Sequence, residues 1–355
     1  MKSLMTTLSP SVLPLALVLV LSWTAAGAET APGLAKEPLL ERPSWSKAAA
    51  YLDAGAHAHE KNCFACHATF AYLASRPAIA AADSVKAAMA SVERETFLAL
   101  QRSAAKSVAE ELGPDDKANR ITAAVMTAVT LAQHDAAAGG LQPLTRKALD
   151  RIWDLQRADG GWNWIKQNEA PSGIDDHFGV TMAAIGVAAA PDGYAGTPQA
   201  RRGLDGLRRY LHAHPPATMH QRAMLLLAAA HVEGLMSRHE MRQAADDLLS
   251  LQQPDGGWAM AGLGDWKRLD GQPQDRTASD GYGTGFVLFV LRRGAGLPAA
   301  DPRLHKAVQW LETHQRASGC WFTRSPRKND ELSTYAGTAY AIQALDACGE
   351  IPDSP

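Results

Sequence analysis

The chain has 355 residues, 46% of them hydrophobic and 20% charged, with a formal net charge of −2. With so neutral a balance, nothing basic enough for nucleic-acid binding stands out. The apolar share is that of a globular protein with a sizeable core, not of a disordered or fibrous chain.

Lys2 gives a short positive start, Val12 to Leu21 an apolar run of secretory length, and Ala26-Gly27-Ala28 a small-residue cleavage site. Residues 1–28 therefore read as a signal peptide, too short for a bilayer span, and the chain is expected to be periplasmic or secreted. No later run is apolar and long enough to cross a membrane. Residues 29–42, rich in Pro and Ala, read as a linker, and 43–355 as one domain.

A first helix is predicted from Trp45 to His57, and Cys63-Phe64-Ala65-Cys66-His67 follows it directly. This is the C-x-x-C-H pattern of covalent haem c attachment: two thiols three residues apart reach the vinyl groups from one side, and the adjacent imidazole ligates the iron. Cys63, Cys66 and His67 are thus the candidate cofactor residues, with His67 on the metal. The same residues also suit a Cys63–Cys66 disulfide, or a structural metal site completed by His57, His59 or His67. His57, His59, Met89 and Met126 are the candidate sixth ligands. No nucleotide cofactor is expected.

Alanine-rich segments without β-branched alternation run to about Leu112, where Gly113-Pro114-Asp115-Asp116 breaks the chain. A further helix spans Lys117 to His134 and stops near Gly139-Gly140, and the whole reads as all-α. From Thr145 a repeat takes over. LQRADGGW at Leu155 to Trp162 returns as LQQPDGGW at Leu251 to Trp258 and as HQRASGCW at His314 to Trp321, each with a Gln six residues before a Trp. The small residues before the Trp place the motif just past a helix C-terminus, where positive φ is wanted.

Each motif leads into a second helix that opens with an aromatic and a Gly: His177-Phe178-Gly179 after Asp176, Tyr282-Gly283 after Asp280-Gly281, and Tyr335-Ala336-Gly337 after Thr334. The middle interval is longer and contains Trp266 and the polar run Lys267 to Arg276. A degenerate unit lies between Arg201 and Gly234. At about 48 residues per helix pair the chain holds six or seven pairs, enough to close a ring.

These motifs resemble the QW repeats of squalene and oxidosqualene cyclases, whose α/α toroid is shared with protein prenyltransferases; the resemblance is clear from Thr145 to Gly349. It implies an α/α toroid in which Gln156 with Trp162, Gln252 with Trp258 and Gln315 with Trp321 staple neighbouring repeats. It also implies a central cavity for an apolar or isoprenoid-like small molecule. Cyclases of this family protonate an alkene with the first Asp of a D-x-D-D segment, and here Gly173-Ile174-Asp175-Asp176 has Gly in that place. Asp175, Asp176 and Asp280, at the starts of inner helices, remain the candidate catalytic residues. Their other reading is helix capping, which favours the carboxylate anion. His177, Trp266, Tyr282, Phe322 and Tyr335 are expected to line the same mouth.

No prenyltransferase-type zinc set is present. Cys320 and Cys348 read as a disulfide closing a loop of about 29 residues, worth roughly 3.5 kcal/mol on the chain-entropy model, or as a free pair. Three functions stay open: a haem-bearing protein that binds an apolar ligand, or passes electrons to a redox partner; a terpenoid cyclase or lyase; and a non-catalytic interaction scaffold.

Overall fold

The computed structural model describes residues 33–60, 67–80, 86–166, 170–327 and 330–351, with the backbone alone described at 57–60, 67–69, 80 and 86–91. The expected signal peptide, Cys63 and Cys66 lie outside the described residues. Among those described are twelve α-helices and no β-strand: α1 (Trp45–Glu60), α2 (His67–Ala80), α3 (Lys86–Ala109), α4 (Ala118–Ala138), α5 (Pro143–Asp154), α6 (Asp176–Ala189), α7 (Pro198–Ala213), α8 (Met219–Ala229), α9 (Arg238–Ser250), α10 (Gly281–Arg293), α11 (Pro302–Thr313) and α12 (Asp330–Cys348). None of these helices is long and apolar enough to cross a membrane.

Helices α5, α7 and α11 start with Pro in the first turn, where its missing N–H costs nothing, and each carries one apolar stripe. Their partners α6 and α10 are buried over most of their length. The even-numbered helices pack on one another in order, α2 on α4, α4 on α6, α6 on α8, α8 on α10 and α10 on α12, and α12 packs back on α2. Tyr72 and Arg76 tie α2 to α1, the hydroxyl donating to Asp53 Oδ1 at 2.7 Å and the guanidinium Nε at 3.2 Å.

The three Gln–Trp motifs share one geometry. Gln156 Nε2 donates to Gly160 O at 2.9 Å, which closes its own turn, and to Gly203 O of α7 at 3.0 Å. Gln252 does the same with Gly256 O and with Arg303 O of α11. Gln315 reaches Gly319 O and, at the other end of the chain, Ser44 O just before α1. Each Trp turns its indole N–H back to a carbonyl of the helix it follows: Trp162 to Ile152, Trp258 to Leu248 and Trp321 to Leu311, at 2.7–2.9 Å. All three indoles are fully buried. Burying about 200 Å² of ring stabilises each staple by roughly 5 kcal/mol before entropy is subtracted.

Gly is required before the Trp for two reasons. Gly160, Gly256 and Gly319 have φ of 94°, 94° and 96°. A Cβ at Gly160 would also stand 1.9 Å from Gly206 O, and one at Gly319 would stand 2.3 Å from the backbone of Lys47. The motif thus holds the next odd-numbered helix at backbone contact.

Part of the expected linker is built into this arrangement. Leu40 N donates to Gln315 O and Ala317 N to Pro38 O, and Arg316 Nη1 reaches Glu37 O, so residues 37–40 run along the third motif. Backbone pairing, which composition does not reveal, accounts for the difference.

Of the two readings of Cys320 and Cys348, the structure shows the free pair and no disulfide. Trp321 N donates to Thr338 Oγ1, which sets Cys320 beside the middle of α12, whereas Cys348 ends that helix. Ten helical residues are about 15 Å, well beyond the roughly 7 Å limit for bridgeable Cα atoms. Burial pushes the Cys320 thiol up to about 11.

Candidate functional site

The even-numbered helices wall a cavity of about 830 Å³. Each presents one stripe at helical spacing, such as Met126, Thr130 and Gln133 on α4 and Phe178, Met182 and Ile185 on α6. The wall is mostly Ala, Met, aliphatic and aromatic side chains. Ala170-Pro171-Ser172, from the segment before α6, and Met260, from the segment before α10, close it at the helix N-termini.

The two ends differ. At the N-terminal ends of α6, α10 and α12, Phe178, Tyr282 and Ser333 are buried. At the C-terminal ends the lining becomes polar and exposed: Arg293 and Asp346, about half exposed, face each other at 4.0 Å, and His231, Gln133 and Gln343 stand around them. The cavity is a cup that opens at the C-terminal ends of the helices.

Below its wall lies a buried polar pair. His220 Nε2 lies 2.9 Å from Tyr282 Oη, and its ring stacks on Phe286 with centroids 4.5 Å apart. Burial pushes His220 down to about 3, so the imidazole is neutral at pH 7. Tyr282 meets Tyr340 edge-on at 5.3 Å, and both line the cavity. Burial raises Tyr282 well above the usual phenol range and Tyr340 to about 12, so both hydroxyls stay protonated and can only exchange hydrogen bonds.

The three candidate carboxylates stand at helix starts as expected, and none of them lines the cavity. Asp175 caps α6, accepting from His177 N at 2.9 Å, and takes Gln221 Nε2 at 2.5 Å on its other oxygen. Asp176 lies between Arg157 Nη1 and Lys166 Nζ, both at 2.8 Å. Asp280 caps α10 through Gly283 N at 2.8 Å and takes Met260 N at 2.7 Å. Burial pushes Asp280 up to about 7 against those two N–H donors, which favour the anion.

Of the five side chains expected at the mouth, only Tyr282 lines the cavity. His177 is buried with neither ring nitrogen hydrogen-bonded, and burial lowers it to about 4. Tyr335 donates to Leu52 O of α1 at 2.8 Å, Trp266 meets His220 edge-on, and Phe322 lies under the Arg316 guanidinium. Phe70, Met182, Phe289 and Tyr340 are lining residues that helix starts alone do not reveal.

Of the C-x-x-C-H motif, Cys63 and Cys66 fall outside the described residues and His67 opens α2. Phe70 and Ala74 of that helix line the cavity, as does Met126, one of the candidate sixth ligands. Among the described residues no group of His, Cys, Asp and Glu is arranged to hold a metal ion. No protein-family model and no curated protein matches this chain.

Proposed function

We propose that this is an exported protein of squalene cyclase-like architecture, a closed α/α toroid of six helix pairs, that binds an apolar, isoprenoid-like molecule in its central cavity. The observation that carries the reading is the 830 Å³ cup walled by one apolar stripe from each even-numbered helix. Its size falls within the range of small-molecule sites, about 300–1,000 Å³. The ring is supported by the return of α12 to α2 and by the grip of Gln315 on Ser44. Apart from His231, Arg293 and Asp346 at its rim, its wall holds neutral phenols, hydroxyls and amides, a donor set that suits holding a ligand more than protonating one.

The haem c reading rests on the donor set Cys63, Cys66 and His67: two thiols for the vinyl groups and one imidazole for the iron. When bound, such a haem supplies one-electron chemistry. His67, the last residue of the motif, opens α2, the helix that carries the lining residues Phe70 and Ala74.

Co-expression with the cytochrome c maturation system, followed by a denaturing gel and haem stain, tests the cofactor. A stained band is expected in the parent and none in Cys63→Ser/Cys66→Ser; folded, unstained parent protein would remove haem from the proposal. Titration with a C20 isoprenoid followed by native mass spectrometry tests the cup.

One observation favours a second reading, a cyclase or lyase. Asp280 is a buried carboxyl raised to about 7, so it keeps a proton near neutral pH, and it caps α10 two residues before the cavity-lining Tyr282. Product formed from a linear isoprenoid and lost in Asp280→Asn would support it.

A further inference from the structure

The cup is not uniformly apolar, and its polarity is graded along one axis. Its buried end is formed by Phe178, Met260 and Tyr282, with the hydroxyls of Tyr282 and Ser333 as polar groups, whereas the amides and the charged side chains gather at the open end, where α4, α10 and α12 finish. There Gln133 has no hydrogen-bond partner among the described residues. Gln343 makes one long bond within its own helix, Nε2 to Ala339 O at 3.3 Å. Two amides with spare donors and acceptors therefore face the opening.

The charge at that rim does not suit an anion. Among the described lining residues Arg293 is the one guanidinium, and Asp346 sits 4.0 Å from it. Helix C-termini carry partial negative charge, which disfavours a phosphate or carboxylate placed beside them. A cation is favoured by those helix ends and by Asp346 and opposed by Arg293. At about 30 Å³ per heavy atom, roughly the volume of one water in the liquid, the cup holds on the order of 25 heavy atoms.

Building on the binding reading above, we infer that the ligand is an amphiphile, a long apolar tail bearing one uncharged oxygen head such as a hydroxyl or carbonyl. It binds tail-first, with the head between Gln133 and Gln343 at the rim. The tail runs toward Phe178 and Met260, and Asp346 with the helix C-termini at the rim disfavours the anionic analogue.

The test uses the purified full-length chain and three probes with the same C20 tail: geranylgeraniol, its diphosphate, and the corresponding hydrocarbon. Each is titrated into the parent and into Gln133→Leu/Gln343→Leu. The alcohol should bind about tenfold more tightly than either of the others, the margin that one or two neutral hydrogen bonds give. The double variant should lose that margin, with the hydrocarbon binding at least as tightly as to the parent. Equal binding of alcohol and hydrocarbon by the parent, or tightest binding of the diphosphate, would overturn the head-group assignment and leave the cup itself standing. Failure of all three to bind would overturn the binding reading and this inference together. The comparison among probes on the parent decides the matter even if the variant does not fold.

Discussion

Gln315 Oε1 accepts from Ser44 N at 2.6 Å while Gln315 Nε2 donates to Ser44 O at 3.1 Å, so one side chain joins two backbone stretches 271 residues apart. The same amide holds Gly319 O at 2.9 Å and is fully buried. In the other two motifs the Gln is only partly buried and acts as a donor alone. Gln315→Leu leaves one buried and two partly buried backbone groups unpaired and should cost about 2–4 kcal/mol, whereas Gln252→Leu should cost about 1–2 kcal/mol. Thermal melts of the two variants check this, and equal losses would show that the contact with Ser44 adds nothing to an ordinary turn closure.

Gly319 separates backbone strain from close approach. Gly319→Ala both strains a φ of 96° and drives a Cβ to 2.3 Å from Lys47. Gly139 ends α4 with a φ of 84°, and a Cβ there meets nothing within 4 Å. Gly139→Ala should cost about 1 kcal/mol, the left-handed penalty alone. Gly319→Ala should cost about 3 kcal/mol or more, because α1 must move away from the motif. Urea unfolding of both gives the comparison, and similar midpoints would mean that α1 yields easily.

The staples were legible because Gln, Gly and Trp act within one turn of each other, so their spacing survives in the sequence. The starts of α6 and α10 were legible through Asp175 and Asp280, whose caps are local. The cup was not. Met126, Thr130 and Gln133 have the spacing of any buried helix face, and whether such a stripe meets a neighbour or a void depends on all the other helices at once. A one-residue error is also enough to misplace a side chain, since each step turns about 100° around the axis. Thus Phe178 and Ala336 face the cavity while His177 and Tyr335, one residue earlier, do not. Of the two readings of Cys320 and Cys348, disulfide or free pair, sequence could not choose for a related reason: their separation allows a plausible loop, and only the rise of α12 keeps the two thiols apart.

Asp280 should give the stability of this protein a particular pH dependence. The folded chain holds the carboxyl proton up to about pH 7, whereas the unfolded chain releases it near pH 4. Between these values the folded state binds more protons, so this group's contribution falls as pH rises from about 4 to 7, by at most about 4 kcal/mol. His177 and His220, kept neutral by burial, act in the opposite sense: their contribution is lost as pH falls below about 6.5. Comparing the parent with Asp280→Asn at each pH cancels the histidines. The parent's melting temperature relative to the variant's should drop between pH 4 and pH 8; a constant difference would mean the carboxyl is ionised throughout.

The cup itself can be tested by filling it. Ala336 of α12 lines the cavity, while Ala344, two turns further on, is fully buried and does not. Ala336→Phe puts a ring into open space, so it should lower affinity for a C20 isoprenoid at least about tenfold while leaving the melting temperature unchanged or raised. Ala344→Phe forces the same ring into packed core and should destabilise by about 1–3 kcal/mol or more. The two variants differ only in what stands opposite the new side chain. If Ala336→Phe destabilised the protein as much as Ala344→Phe, the space between the even-numbered helices would not be there to fill, and the binding proposal would fall with it.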